Sequence, residues 1–233
     1  MLTDVKKFLS AQRDRYFKHL RSQEIEALRP YLADSPTIIS NNCTAGFFYQ
    51  DLGLPYLSPT AGLYFFFPDY IAFLSNLKGY LEAELTFVPQ SKYPLGRERY
   101  QKHLQKYKAD YPIAQLNGEL EIHFLHYSTQ QEAAAKWHKR AERVKMDNLL
   151  LLGTELDRCT EADIRAFDAL PYERKFFFTR KPYRLSSTIY IREFEHDERI
   201  GDPNKNGHVL YRALAQKLKE QSAGENLASQ KLS

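Results

Sequence analysis

The chain of 233 residues is 43% hydrophobic and 27% charged, with a formal net charge of +4 and two cysteines. This is globular composition, not disorder, and the distant Cys43 and Cys159 make neither a disulfide framework nor a paired zinc site. Lys and Arg are scattered instead of forming the basic stripe of a nucleic-acid binder, no run approaches the ~20 apolar residues that span a bilayer, and the first ten residues lack a signal peptide's apolar core, so a cytoplasmic protein without nucleic-acid partners is expected.

Residues 3–28 read as a helix, with Phe8, Tyr16, Leu20 and Leu28 at near-helical spacing and Pro30 ending the run. Residues 36–40 read as a short buried strand, 41–44 as the turn out of it, and 45–52 as a helix closed by Gly53. A strand over 62–67 precedes a helix over 69–78 flanked by Pro68 and Gly79. Then come a strand at 85–88, a charged helix at 97–108, and strands at 113–116 and 119–127 joined by Asn117-Gly118, a two-residue hairpin signal. Thr129 with Glu132 forms a capping box that opens a helix over 129–145. A strand at 149–152 ends at Gly153, a helix opens at Thr160, strands follow at 175–179 and 187–194, and the last helix spans 208–221. Residues 222–233 read as a flexible tail.

Alternating strands and helices predict an α/β fold in a Rossmann-like three-layer arrangement: a mostly parallel sheet flanked by helices. Antiparallel strands are expected at the Asn117-Gly118 hairpin and among the two strands near the C-terminus. One domain is expected over 1–221: an N-terminal helix to residue 30, a core over 35–180, and a closing strand and helix over 187–221. The 16 tyrosines and 15 phenylalanines fall mostly in apolar runs such as Leu63-Tyr64-Phe65-Phe66-Phe67, which read as core packing rather than base stacking.

Chemistry is expected first at Asn41-Asn42-Cys43. Ligands gather at the C-terminal ends of strands in an α/β sheet, and the following helix N-terminus stabilises a thiolate. Cys43 is therefore a candidate nucleophile, with Asn41 and Asn42 as donors to an oxyanion. The competing role is a small buried cysteine beside two turn-satisfying asparagines. The second place is His123-Phe124-Leu125-His126-Tyr127, since histidine is the usual base near neutral pH. Strand alternation puts His123 and His126 on opposite faces unless the strand ends before His126. His126, on the face of Leu120, Ile122 and Phe124, is the first choice for base, and a hydrogen-bonded core histidine is the competing role.

The third place is the helix bearing Trp137, Arg140 and Arg143, where an arginine reaching past the indole would bind phosphate or carboxylate. Arg143 also fits a solvated edge. Asp147-Asn148 precedes a strand, so a turn role competes there. The hydroxyls of Ser58 and Thr60 are further ligand candidates, although Ser-Pro also starts turns. The chain has no P-loop, no Gly-rich dinucleotide fingerprint, no His-Glu-x-x-His, no Gly-x-Ser-x-Gly and no Asp-x-Asp, so no metal is expected.

Ile39-Ser40-Asn41-Asn42-Cys43-Thr44-Ala45-Gly46, Leu52-Gly53-Leu54 and Ser58-Pro59-Thr60 resemble the opening of a bacterial family of unknown function whose members are often labelled exopolysaccharide or capsular-polysaccharide biosynthesis proteins. His123-Phe124-Leu125-His126-Tyr127, Trp137 with Arg140 and Arg143, and Asp147-Asn148 resemble its second half in the same order, so the likeness covers roughly residues 35–180. Asn41-Asn42-Cys43 is also similar to the Gly-Asn-Cys turn of capsule acetyltransferases related to the serine-hydrolase-like esterase fold, with Asn41 where Gly is expected. The resemblance implies a pathway more than a reaction. Its implied partners are an activated sugar or acyl donor and a glycan precursor, with peripheral contact to a membrane-bound synthesis complex. Three readings follow: an acyltransferase using Cys43, His126 and a coenzyme A thioester; a metal-independent glycosyl- or phosphosugar transferase with a structural Cys43; and a non-catalytic partner-binding protein.

Overall fold

The computed structural model describes residues 2–156 and 158–230; Met1, Asp157 and residues 231–233 at the end of the expected tail lie outside it. Among the described residues, strands β1 (Thr37–Ser40), β2 (Leu85–Val88), β3 (Ile113–Leu116), β4 (Leu120–His123), β5 (Leu149–Thr154), β6 (Lys175–Thr179) and β7 (Thr188–Tyr190) form two sheets. One is parallel, in the order β1-β5-β6-β7, and the other is an antiparallel meander, β2-β3-β4. The meander lies within the long excursion that separates β1 in sequence from its neighbour β5.

Strands of the parallel sheet are buried at nearly every position because both faces are covered. Ile38, Leu150, Leu152, Phe176 and Phe178 join one core, while Ile39, Leu149, Leu151 and Phe177 join the other. Helices α1 (Leu2–Leu28), α2 (Thr44–Leu52) and α8 (Pro203–Gln230) supply the first core; α3 (Phe67–Ser75), α4 (Leu77–Leu81), α6 (Gln130–Ala141) and α7 (Glu161–Ala169) supply the second. The charged helix α5 (Pro94–Tyr107) buries little beyond Gly96. The result is the expected three-layer α/β arrangement with the antiparallel meander as a separate sheet. The aromatic run singled out from the sequence, 63–67, is buried, as is Phe176-Phe177-Phe178 in β6.

Several local expectations change. The segment 62–67 is not a strand: it makes one antiparallel bridge, Tyr64 with His123, before Pro68 enters α3. Gly79 does not end a helix at 69–78; the break comes at Asn76, whose side chain packs where a Cβ on Gly79 would sit, 2.5 Å from Asn76 Nδ2. Gly153 lies inside β5, where a Cβ would come within 2.6 Å of the Phe177 ring. The C-terminal strands are parallel, not antiparallel: β6 reaches β7 through residues 180–187 alone, a short crossover made feasible by the three-residue length of β7. α6 stops at Ala141, while α8 runs past Ser222 to Gln230. In α1, Phe8 and Tyr16 are exposed and only the last turns, with Ile25 and Leu28, enter the core.

Candidate functional site

Cys43 stands at the C-terminal edge of the parallel sheet, in the turn between β1 and α2. Local polar residues build that turn. Ser40 Oγ donates to Asn42 O (2.6 Å) and accepts from Ala45 N (2.9 Å), while Asn42 Oδ1 accepts from Thr44 N (2.9 Å) and from the Thr44 hydroxyl. These bonds cap α2 in place of its N-cap residue, Cys43, whose side chain makes no capping bond. Phe47 N bonds Cys43 O at 3.3 Å, and Gly46 N has no hydrogen-bond partner among the described residues. Asn41 acts elsewhere: its amide donates to Thr154 O (3.2 Å) and accepts from Thr154 N (3.1 Å), extending the β1–β5 ladder past the end of β1. The two asparagines expected to hold an oxyanion are thus engaged in the fold. What remains is Asn42 Nδ2, buried without a partner among the described residues.

One extended segment brings His126 to the same edge. Phe65 N bonds Asn41 O (2.9 Å), Leu63 O lies 3.8 Å from Cys43 Sγ, Tyr64 pairs with His123 in both directions, and His126 N bonds Gly62 O (3.1 Å). Residues 62–65 thereby stitch the end of β1 to the end of the meander. Gly62 is required here: its φ is +83°, and a Cβ would lie 3.3 Å from the Tyr127 ring. Ser58 and Thr60, expected to touch a ligand, are fully buried and seal the edge of β1 instead; Thr60 Oγ1 accepts from Ser40 N (3.2 Å) and lies 2.9 Å from Ser58 Oγ. Because β4 ends at His123, the same-face argument does not extend to His126, which sits exposed in the turn beyond.

Between these elements lies a cleft of about 370 Å³ lined by Cys43, Gly46, Tyr56, His126, Tyr127 and Arg140, with Phe47, Gln50, Ala61, Gly62 and Lys136 around them. That size suits a small-molecule site. The half-buried thiol of Cys43 and the imidazole of His126 therefore line the same cleft. Although the residue as a whole is exposed, partial desolvation of its ring by the surrounding chain, then the nearby His103, lowers the His126 pKa below the usual imidazole value; Asp202 opposes this. The His126 ring makes no hydrogen bond to the described residues, so the neutral ring has an uncommitted base. Tyr127 OH donates to Ala61 O (2.6 Å) and accepts from Arg140 Nη1 (2.6 Å).

Other expected residues lie elsewhere. His123 is fully buried with both ring nitrogens engaged: Nε2 lies 2.7 Å from Glu121 Oε1 and Nδ1 lies 3.0 Å from Tyr64 OH. Burial raises the Glu121 pKa, but the bonds from His123, Ser91 and Lys92 N outweigh it and leave the carboxyl below its usual range. The ionised Glu121 accepts a hydrogen bond from Nε2–H, leaving Nδ1 to accept from Tyr64 OH, so His123 is a core histidine. Trp137 is fully buried against Phe73 and Phe124. Arg143 is exposed, with a long 3.4 Å bond to Tyr56 O. Asp147 is exposed and Asn148 bonds Asp34 O and Arg174, both at the start of β5 and so at the sheet edge opposite Cys43.

Sequence reasoning did not select Gly46, Tyr56, Tyr127 or Lys136, nor the buried Glu121. Tyr127 closes the histidine motif and was the most legible of them; Tyr56 and Gly46 lie on segments that only the fold brings opposite α6. Among the described residues no cluster of His, Cys, Asp and Glu is arranged to hold a metal, and no helix is long and apolar enough to cross a membrane.

Residues 18–219 match DUF1919, a domain of unknown function. A Haemophilus influenzae protein described as uncharacterized is 40% identical over 167 residues, covering 71% of this chain and 72% of its own length. The DUF1919 match spans most of the chain, so the chain belongs to the DUF1919 family.

Proposed function

We propose that this protein is a transferase of bacterial surface-polysaccharide synthesis that moves an acyl group onto a glycan precursor through Cys43. The observation that carries the reading is that Cys43 and His126, from opposite halves of the family-like core, line one cleft. The pathway comes from the motif resemblance, and the reaction comes from the residue chemistry. His126 takes the Cys43 proton, and the thiolate attacks the carbonyl of an acyl thioester. The donor's sulfur leaves and takes that proton from His126, producing an acyl-Cys43 thioester and a free donor thiol. A glycan hydroxyl then attacks the acyl carbon, His126 accepts its proton, and the Cys43 sulfur departs and recovers it.

The oxyanion of each tetrahedral intermediate needs a fixed donor. With Thr44 N and Ala45 N capped and Phe47 N bonded to Cys43 O, the Gly46 N–H at the cleft wall supports that role better than Asn42. The test is intact-protein mass spectrometry after incubation with a panel of acyl-coenzyme A thioesters. One acyl group is expected on Cys43, lost in Cys43→Ala and retained in Cys159→Ser. A protein that stays unmodified by every donor, or is labelled equally without Cys43, overturns the reading.

A further inference from the structure

Arg140 is held in an unusual way for a surface arginine. Nη1 makes both of its hydrogen bonds, to Ala61 O at 3.0 Å and to Tyr127 OH at 2.6 Å. The guanidinium lies over the Tyr56 ring, 4.7 Å from its centroid. Nε and Nη2 make no hydrogen bond to the described residues. The group is thus fixed on one corner and one face, and its two-nitrogen edge is uncommitted. That edge is the part of an arginine that matches two oxygens of a phosphate or carboxylate.

The surroundings favour an anion. Arg140, Lys136 and His126 line the cleft, and no Asp or Glu does. Lys136 pairs with Glu132 at 2.6 Å on the exposed face of α6, whereas Arg140 makes no ion pair among the described residues and feels the Glu132 carboxylate only at longer range. A purely structural arginine tying Ala61 to Tyr127 would need only Nη1. Aromatic walls at Phe47, Tyr56 and Tyr127 give a ring or stem apolar contact beside the charge.

We propose that the Nε–Nη2 edge of Arg140 binds a phosphoryl group of the molecule that occupies the cleft, making its ligand a phosphate ester. This rests on reading the cleft as the transfer site and names its substrate class. The phosphate has two sources: an acyl donor such as coenzyme A, or a nucleotide-linked sugar acceptor.

The experiment is calorimetric titration of the full chain with coenzyme A, with UDP, and with pantetheine and uridine as their phosphate-free counterparts. Wild type, Arg140→Lys and Arg140→Gln are compared, each first shown by circular dichroism and thermal melting to be folded. Binding of one phosphorylated probe, and not of its counterpart, is expected. Loss of the two-point contact should weaken it about ten- to hundredfold in Arg140→Gln. Arg140→Lys should recover only part of this, because lysine supplies charge without the paired nitrogens. Coenzyme A as the sole ligand assigns the phosphate to the donor, and UDP as the sole ligand assigns it to the acceptor. If neither binds wild type at millimolar concentration, or the variants bind as wild type does, the proposal is overturned. Cys43 acylation is scored separately on the same proteins: its absence alongside Arg140-dependent binding removes the transfer reading and leaves this one standing.

Discussion

Glu121 illustrates how much a single buried side chain can hold. Its carboxylate accepts from Ser91 Oγ, Lys92 N and His123 Nε2, while its own N–H bonds Asp69. Glu121→Ala strands these donors in a dry site, so a loss of about 3 kcal/mol is expected in urea unfolding, in keeping with broken buried charge networks. His126 should behave oppositely, with small effects on stability and large ones on chemistry. Its pKa lies below the ordinary ~6.5, so the ring is already neutral at pH 7 and able to accept a proton. Acylation of Cys43 should fall as pH drops through that lowered pKa, and His126→Gln should remove this acidic limb while leaving Tm nearly unchanged. A His126→Gln variant with an unaltered pH profile would take the base role away from this residue. Sign matters here: a pKa raised above 6.5 would instead have placed the fall near neutrality.

At the scale of elements, features with local causes were readable from the sequence and those with distant causes were not. Asn117 and Gly118 have φ of +50° and +71°, the backbone that a tight two-residue hairpin needs, and the strands pair as expected on either side. Thr129 and Thr160 cap their helices through their own hydroxyls, and Gly53 closes α2 at φ +70°. Gly153 misled because its reason lies across the sheet, in the Phe177 ring. Gly153→Ala is therefore expected to cost about 1–3 kcal/mol by overpacking, whereas Gly46→Ala, whose Cβ would meet nothing closer than 3.6 Å, should fold normally. Comparing the two urea midpoints checks this. The candidate site was legible at Cys43, His126 and Arg140, whose chemistry is unusual for their positions. Ser58 and Thr60 looked similar in sequence, but their hydroxyls serve the edge of β1 that no strand pairs, a need visible only once β1 is known to have a strand neighbour on one side.

For the whole molecule, the helical layer and the cleft are joined through Arg21. This buried residue of α1 bonds Asp51 of α2 at 2.7 Å and Asn204 of α8, and lies 4.9 Å from the Phe47 ring on the cleft wall. Tyr211 of α8 donates to the same Asp51 oxygen at 2.8 Å. Removing one partner leaves an uncompensated charge among three helices, so Asp51→Ala should lose about 3–5 kcal/mol. The exposed Arg165–Glu161 pair, cut in the same way by Glu161→Ala, should lose under about 1 kcal/mol. Equal losses in guanidinium melts would show that Arg21 is not the tie between the layers.

β1 pairs with β5 from Thr37–Leu149 to Ser40–Leu152, so the earlier strand must wait for one made much later. At about 5–20 residues per second, the wait is on the order of ten seconds. Throughout it, the amide of Asn41 has no Thr154 to bond and the turn around Cys43 has no sheet edge to rest on. A nascent chain arrested before Leu149 should therefore expose its thiol to alkylating reagents and its apolar β1 to chaperones, and both exposures should end together when β5 is released. In this chain the order of synthesis keeps the Cys43 turn unfinished until β5 arrives.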